Sequence, residues 1–187
     1  MTTHFFRTTC ATLMLAFAVV VHAEKAPDAV NDIVPELKSW GTNATLIAAV
    51  TEQNNQGMSL DDIKARDAEW RNVDGMDAGM TSIMESPAAQ ELAKLEKTQP
   101  YFFEVFLMDN QGANVAMTNK TSDYWQGDEA KWQESFKDGA GAVHIGDVEF
   151  DESAQAYLVQ VSVPVMDGGT AIGAITIGIN LDDLEAQ

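Results

Sequence analysis

Tyr157-Leu158-Val159-Gln160-Val161-Ser162-Val163-Pro164-Val165, a turn at Asp167-Gly168-Gly169, and Ala171-Ile172-Gly173-Ala174-Ile175-Thr176-Ile177-Gly178-Ile179 decide the fold class. Side-chain character alternates with a period of two on both sides of the turn. That pattern predicts two antiparallel strands, 154–165 and 171–180. Tyr157, Val159, Val161 and Val163 share one face, and Leu158, Gln160 and Ser162 share the other. Ile175, Ile177 and Ile179 oppose Ala174, Thr176 and Gly178 in the same way. The β-branched face is expected to pack on helices. The second face either meets water, as antiparallel sheets often do, or leaves room for a ligand among its small and polar side chains.

Working outward, residues 142–150 read as a third strand. Phe102–Met108 and 113–118 read as a hairpin around Asp109-Asn110-Gln111-Gly112. A short helix between these groups is expected from an Asp128 cap to Phe136, closed by Gly139 and Gly141. Upstream, Val30, Ile33, Val34 and Leu37, then Ala44, Ile47 and Val50, recur at three and four, which predicts one long amphipathic helix ending at Asn54-Asn55-Gln56-Gly57. Ser59 caps a second helix through about Arg71, and shorter helices are expected at 77–85 and 88–97. Helices first, then strands without a βαβ repeat, describe an α+β domain with a single antiparallel sheet.

The first 23 residues read as a secretory signal: Arg7 lies in a short positive region, an apolar run spans Ala11–Val21, and Val21-His22-Ala23 supplies a cleavage site. Residues 24–187 then form one domain, helical over 24–100 and sheet-forming over 101–182. They contain no cysteine, so stability must come from a packed core rather than disulfides. The 11 Lys+Arg stand against 29 Asp+Glu, a formal net charge of -18. Nucleic-acid binding through phosphates is thereby excluded, because it needs clustered cations.

The loop Thr121-Ser122-Asp123-Tyr124-Trp125-Gln126-Gly127-Asp128-Glu129 has two aromatics among polar residues and no periodicity. Trp132 follows Asp128 by one helical turn on the same side. Rigid aromatic surfaces beside Gln126 and Asp128 suit a lid over a small molecule. The other reading is a plug folded onto the sheet, with Asp128 serving only as a helix cap.

The hairpin Val105-Phe106-Leu107-Met108-Asp109-Asn110-Gln111-Gly112-Ala113-Asn114-Val115-Ala116 resembles the opening hairpin of extracytoplasmic PAS-like sensor domains, the Cache or PDC group. Thr121–Trp132, Ile145–Asp151, Val161–Val165 and Ile172–Gly178 continue the resemblance in the right order. It implies a five-stranded antiparallel sheet with a long N-terminal helix behind it. It also implies a ligand pocket in front, under the segment between the second and third strands. Such domains bind small metabolites such as carboxylates, amino acids or amines. With one such module and no membrane helix after Ile179, a freestanding periplasmic module is expected. Its signal would pass to a separate membrane receptor, sensor kinase or transporter.

The candidate ligand-binding set comprises Tyr124, Trp125, Gln126, Asp128 and Trp132, with Lys120 and His144 as cationic groups and Gln160 on the polar strand face. After position 100 the only basic residues are Lys120, Lys131 and Lys137, so no arginine can clamp a carboxylate. An amine or neutral polar ligand is favoured, with the acids and the aromatic wall as partners. No catalysis is expected: His144 lies in an alternating strand, and there is no Gly-x-Ser-x-Gly elbow. No metal or cofactor is expected either. Asp147, Glu149, Asp151 and Glu152 alternate with Val148 and Phe150 as a strand's outer face does, without calcium-loop spacing. The alternative function is a non-catalytic interaction module with a vestigial pocket, docking through the front helices.

Overall fold

A computed structural model of the chain describes residues 24–151 and 155–187. The expected signal at 1–23 lies outside the described residues. The elements run β1 (Glu24–Lys25), α1 (Asp28–Trp40), α2 (Ala44–Gln56), α3 (Leu60–Asn72), α4 (Ala78–Glu85), α5 (Pro87–Glu96), β2 (Phe102–Met108) and β3 (Asn114–Met117). They continue through α6 (Ala130–Phe136), β4 (His144–Asp151), β5 (Ala156–Asp167), β6 (Thr170–Asn180) and α7 (Leu181–Glu185).

The sheet is antiparallel throughout, in the order β1-β4-β5-β6-β2-β3. Six strands therefore replace the five expected. The additional one is the edge pair Glu24↔Val148 and Lys25↔Asp147, too short to leave a periodic signal. The last long strand, β6, lies in the interior of the sheet between β5 and β2.

The expected long N-terminal helix is two helices, broken at Gly41-Thr42-Asn43. Gly41 packs its backbone directly on Pro164 of β5, where a Cβ would collide with the Pro164 carbonyl. Its own carbonyl accepts a hydrogen bond from the Met166 N–H at 2.8 Å. Asn43 then restarts the helix, its side chain accepting from the Thr45 N–H at 2.9 Å and the Leu46 N–H at 3.4 Å. The hydrophobic stripe survives the break, and Val30, Leu37, Trp40, Leu46 and Val50 are all buried. Gly41→Ala should destabilise the fold by about 2 kcal/mol, an overpacking cost against rigid backbone. An unchanged midpoint in urea unfolding would contradict that packing.

Register fixes two unlike faces. Val161 pairs with Ile177 and Val163 with Ile175, and these join Val159, Val165 and Ile179 in one fully buried layer under α1, α2 and α5. Each such side chain contributes about 2 kcal/mol by leaving water. On the opposite face Gln160 pairs with Gly178, Ser162 with Thr176 and Pro164 with Ala174. There Phe106, Met108 and Ala174 meet Ile63, Trp70 and Met80 from α3 and α4 in a second core. That core fills one end of the face. α6 covers the other, touching β4, β5 and β6.

Candidate functional site

Between the start of α6 and the outer strands lies a pocket of about 470 Å³. Glu129, Ala130 and Lys131 form one wall, and His144, Asp147, Glu149, Asp151, Leu158 and Gln160 belong to the other. Pairing explains the second wall: His144 stands opposite Ser162 and Glu149 opposite Leu158, so they share the face that α6 covers. The register slips between Ile145 and Val148. This bulge sets Gly146 and Asp147 against Gln160, and bulges often re-aim side chains beside functional sites.

Beneath the pocket is Glu104 of β2, whose Oε1 accepts from Gln160 Nε2 at 3.1 Å. Gly178 gives it room, since a Cβ there would lie 2.9 Å from Glu104 Cγ. Burial pushes the Glu104 carboxyl above the usual value of 4.5; the Gln160 hydrogen bond opposes this, Asp151 adds to it, and Lys131 opposes it. Lys131 is 17% exposed, pairs with Glu129 at 2.9 Å and stands 5.5 Å from the Phe106 ring centre. The pocket is thus acid-rich around one lysine and one histidine. Such a site attracts a cationic group and can still meet an anionic one at Lys131.

The expected site residues divide. His144 and Gln160 reach the pocket. Tyr124, Trp125, Gln126 and Trp132 are instead tied into the framework. The Tyr124 and Trp125 N–H groups donate to Asp67 Oδ1 at 2.9 and 3.1 Å. The Trp125 indole donates to the Gln111 carbonyl at 2.7 Å, and the Trp132 indole to the Asp109 carbonyl at 3.0 Å. Gln126 is buried and donates to the Asp123 carbonyl at 2.9 Å. The loop lies on α3 with the Tyr124 ring 5.6 Å from that of Trp70, and Trp125 and Asp128 line a cleft of about 380 Å³ together with Lys64, Asp67 and Arg71.

Asp128 is exposed and does not cap α6. The cap position is Glu129, which makes no side-chain cap bond, because the turn from Gln126 to Glu129 carries the chain one residue further. Lys120 lies away from the pocket, donating to the Val73 and Gly75 carbonyls at 3.1 and 2.8 Å. Glu104 escaped the sequence reading. Its signal was a lone acid in the apolar run Phe102-Phe103-Glu104-Val105-Phe106-Leu107-Met108, a placement that burial makes costly unless the group is used or satisfied.

A family model described as methyl-accepting chemotaxis protein-like, first PDC sensor domain, matches residues 80–186, more than half of the chain. The chain belongs to this PDC sensor domain family. The match spans strands β2 to β6, the α6 wall and every pocket residue named above. No curated protein matches the chain. Among solved structures, this PDC domain is similar to the sensor domain of the V. cholerae histidine kinase DctB, with 14% identity over 84% of this chain and 52% of that one, at a TM-score of 0.46. It is also similar to the ligand-binding domain of the Pseudomonas aeruginosa PAO1 amino acid chemoreceptor PctC in complex with GABA, with 15% identity over 84% of this chain and 63% of that one, at 0.38. The ligand-binding domain of the Campylobacter jejuni chemoreceptor Tlp3 in complex with 4-methylisoleucine gives 12%, 86%, 63% and 0.40 on the same measures. The chain thus spans between half and two thirds of these structures' lengths. Among the described residues no helix is long and apolar enough to cross a membrane, and no three His, Cys, Asp or Glu side chains are grouped to hold a metal ion.

Proposed function

We propose that this PDC domain is a non-catalytic periplasmic sensor that binds a small metabolite carrying an ammonium group. It would pass the signal to a separate membrane partner: a receptor, sensor kinase or transporter. The observation that carries the ligand class is the charge of the pocket wall. Glu129, Asp147, Glu149 and Asp151 surround the space, with Glu104 below. Lys131 and His144 are the basic side chains that line it. A dianion would approach against this field, whereas an amine, or the ammonium end of an amino acid, approaches with it. Gln160 and His144 supply directional polar contacts, and Lys131 can turn from Glu129 to a ligand carboxylate.

Thermal unfolding of residues 24–187 across amines, amino acids and small dicarboxylates tests the reading. A ligand at about 100 times its Kd adds about 2.7 kcal/mol, which raises the midpoint by about 8 °C for a domain of this size. Amines or amino acids should produce that rise. A rise with dicarboxylates alone would overturn the ligand class. No rise with any of them would favour the alternative, an interaction module with a vestigial pocket.

A further inference from the structure

At the β3 edge of the sheet, α2 packs on α5, and residues of α2, α4 and the start of α5 line a groove of about 800 Å³. α2 lines it with Ala48 and Ala49, and Ile83 and Ala88 face them from α4 and α5. These side chains are too small to fill the space between helices. The loop residue Tyr124 also lines the groove, although it is only 5% exposed.

Tyr124 is satisfied everywhere except at its hydroxyl. Its N–H donates to Asp67 Oδ1, its carbonyl accepts from the Asn114 N–H at 3.0 Å, and its ring lies on Trp70. The hydroxyl makes no hydrogen bond among the described residues. The hydroxyl is not itself fully buried, since among the described residues Asn114 Oδ1 is the one fully buried side-chain polar atom without a partner, so the Tyr124 hydroxyl keeps contact with open space and is free to donate to a molecule there. Burial first, and then Asp109, push this phenol up to about 12, with Arg66 opposing, so its proton stays available for donation.

We propose that the groove is a second small-molecule site, separate from the acidic pocket, for an uncharged ligand with an apolar body and an acceptor oxygen that takes the Tyr124 hydroxyl proton. The volume is that of an ordinary ligand site. Glu52 is the one carboxylate in the lining, and it is exposed at the rim. An anion would meet both Glu52 and the net charge of -18. A cation would gain only an exposed pair, which contributes little. Apart from Glu52 the lining is uncharged, with Thr45, Gln53, Gln56, Ser82 and Ser86 interleaved among the apolar side chains, and Tyr124 adds a neutral donor. A carbonyl attached to a ring or short alkyl body matches it.

Benzamide is the probe: its ring suits the alanine-lined walls, and its carbonyl can accept from the phenol. The readout is a titration of residues 24–187 with millimolar benzamide, followed by amide proton–nitrogen correlation spectra. Signals of Ala48, Ile83 and Ala88 should move while those of His144 and Gln160 do not. Tyr124→Phe should weaken binding about three- to tenfold, the effect of one neutral hydrogen bond. It should leave the urea midpoint unchanged, because the hydroxyl has no internal partner to lose. Ala48→Leu should fill the groove and abolish binding, and Gln160→Ala should not alter it. The proposal is overturned if no groove signal moves or if His144 and Gln160 move instead. Equal affinity in Tyr124→Phe, or a lower midpoint for that variant, overturns it too.

Discussion

Asp67→Ala should lower the stability of the domain by about 3 kcal/mol. Asp67 is 4% exposed and sits on α3, yet its Oδ1 accepts from two consecutive backbone N–H groups of the 121–129 loop, Tyr124 at 2.9 Å and Trp125 at 3.1 Å. Removing the carboxylate leaves the buried Tyr124 N–H and the part-buried Trp125 N–H without their partner. Each such orphan costs about 1–3 kcal/mol. The Arg71 partner, at 2.8 Å from Oδ2, is 57% exposed and adds little, because water screens it. Asp67→Asn retains an acceptor for the loop and should lose less than half as much. Urea unfolding of both variants checks the difference, and equal losses would assign the effect to the ion pair instead. The same loop leads into Glu129 and Lys131, so Asp67→Ala should also weaken binding at the acidic pocket.

Glu104→Gln should weaken binding of an ammonium ligand several-fold, because it removes a carboxylate that stands one hydrogen bond behind Gln160 of the pocket wall. Its effect on the unliganded domain runs the other way. The folded-state value is raised above 4.5, so folding favours the protonated carboxyl. That contribution is complete below about pH 4.5 and is lost as pH rises through the raised folded value. Glutamine imitates the protonated state. The variant should therefore be more stable than the parent at pH 7, with a flatter stability profile from pH 4.5 upward. Glu96, raised mainly by its own burial, leaves a residual slope in the same direction. Binding to the parent should tighten as pH rises, because a bound ammonium prefers the carboxylate. Loss of ligand affinity without any gain in stability at pH 7 would contradict the buried-acid account.

The period-two residues Val159–Val165 and Ile175–Ile179 announce which face is covered, and the structure puts helices there. The caps Ser59 and Ser86 hold the helices that local sequence expects, with side-chain oxygens accepting from the Asp62 and Ala89 N–H groups. What escapes is set by partners far along the chain. The break at Gly41 depends on Pro164, and no local propensity contains that contact. The aromatic loop illustrates the same limit. Tyr124, Trp125 and Trp132 have the composition of a binding lid, but Asp67, Gln111 and Asp109 consume their backbone or indole donors. The acids at 147, 149 and 151 alternate with Val148 and Phe150 as a strand's outer face does. Only the position of α6 over β4 and β5 turns that face into a pocket wall.

The interior position of β6 also governs when the chain can fold. Its neighbour β2 begins at Phe102, and Phe102 pairs with Ile179. No central pairing of the sheet can close before residues 170–180 are available, because β5 and β2 both need β6 between them. Contacts this distant in sequence make for slow folding through loop closure. A chain crossing a membrane N-terminus first would present helices α1 to α6 and strands β1 to β5 while still unable to lock. It would therefore remain threadable until residues 170–180 had emerged, and only then could its central pairings close.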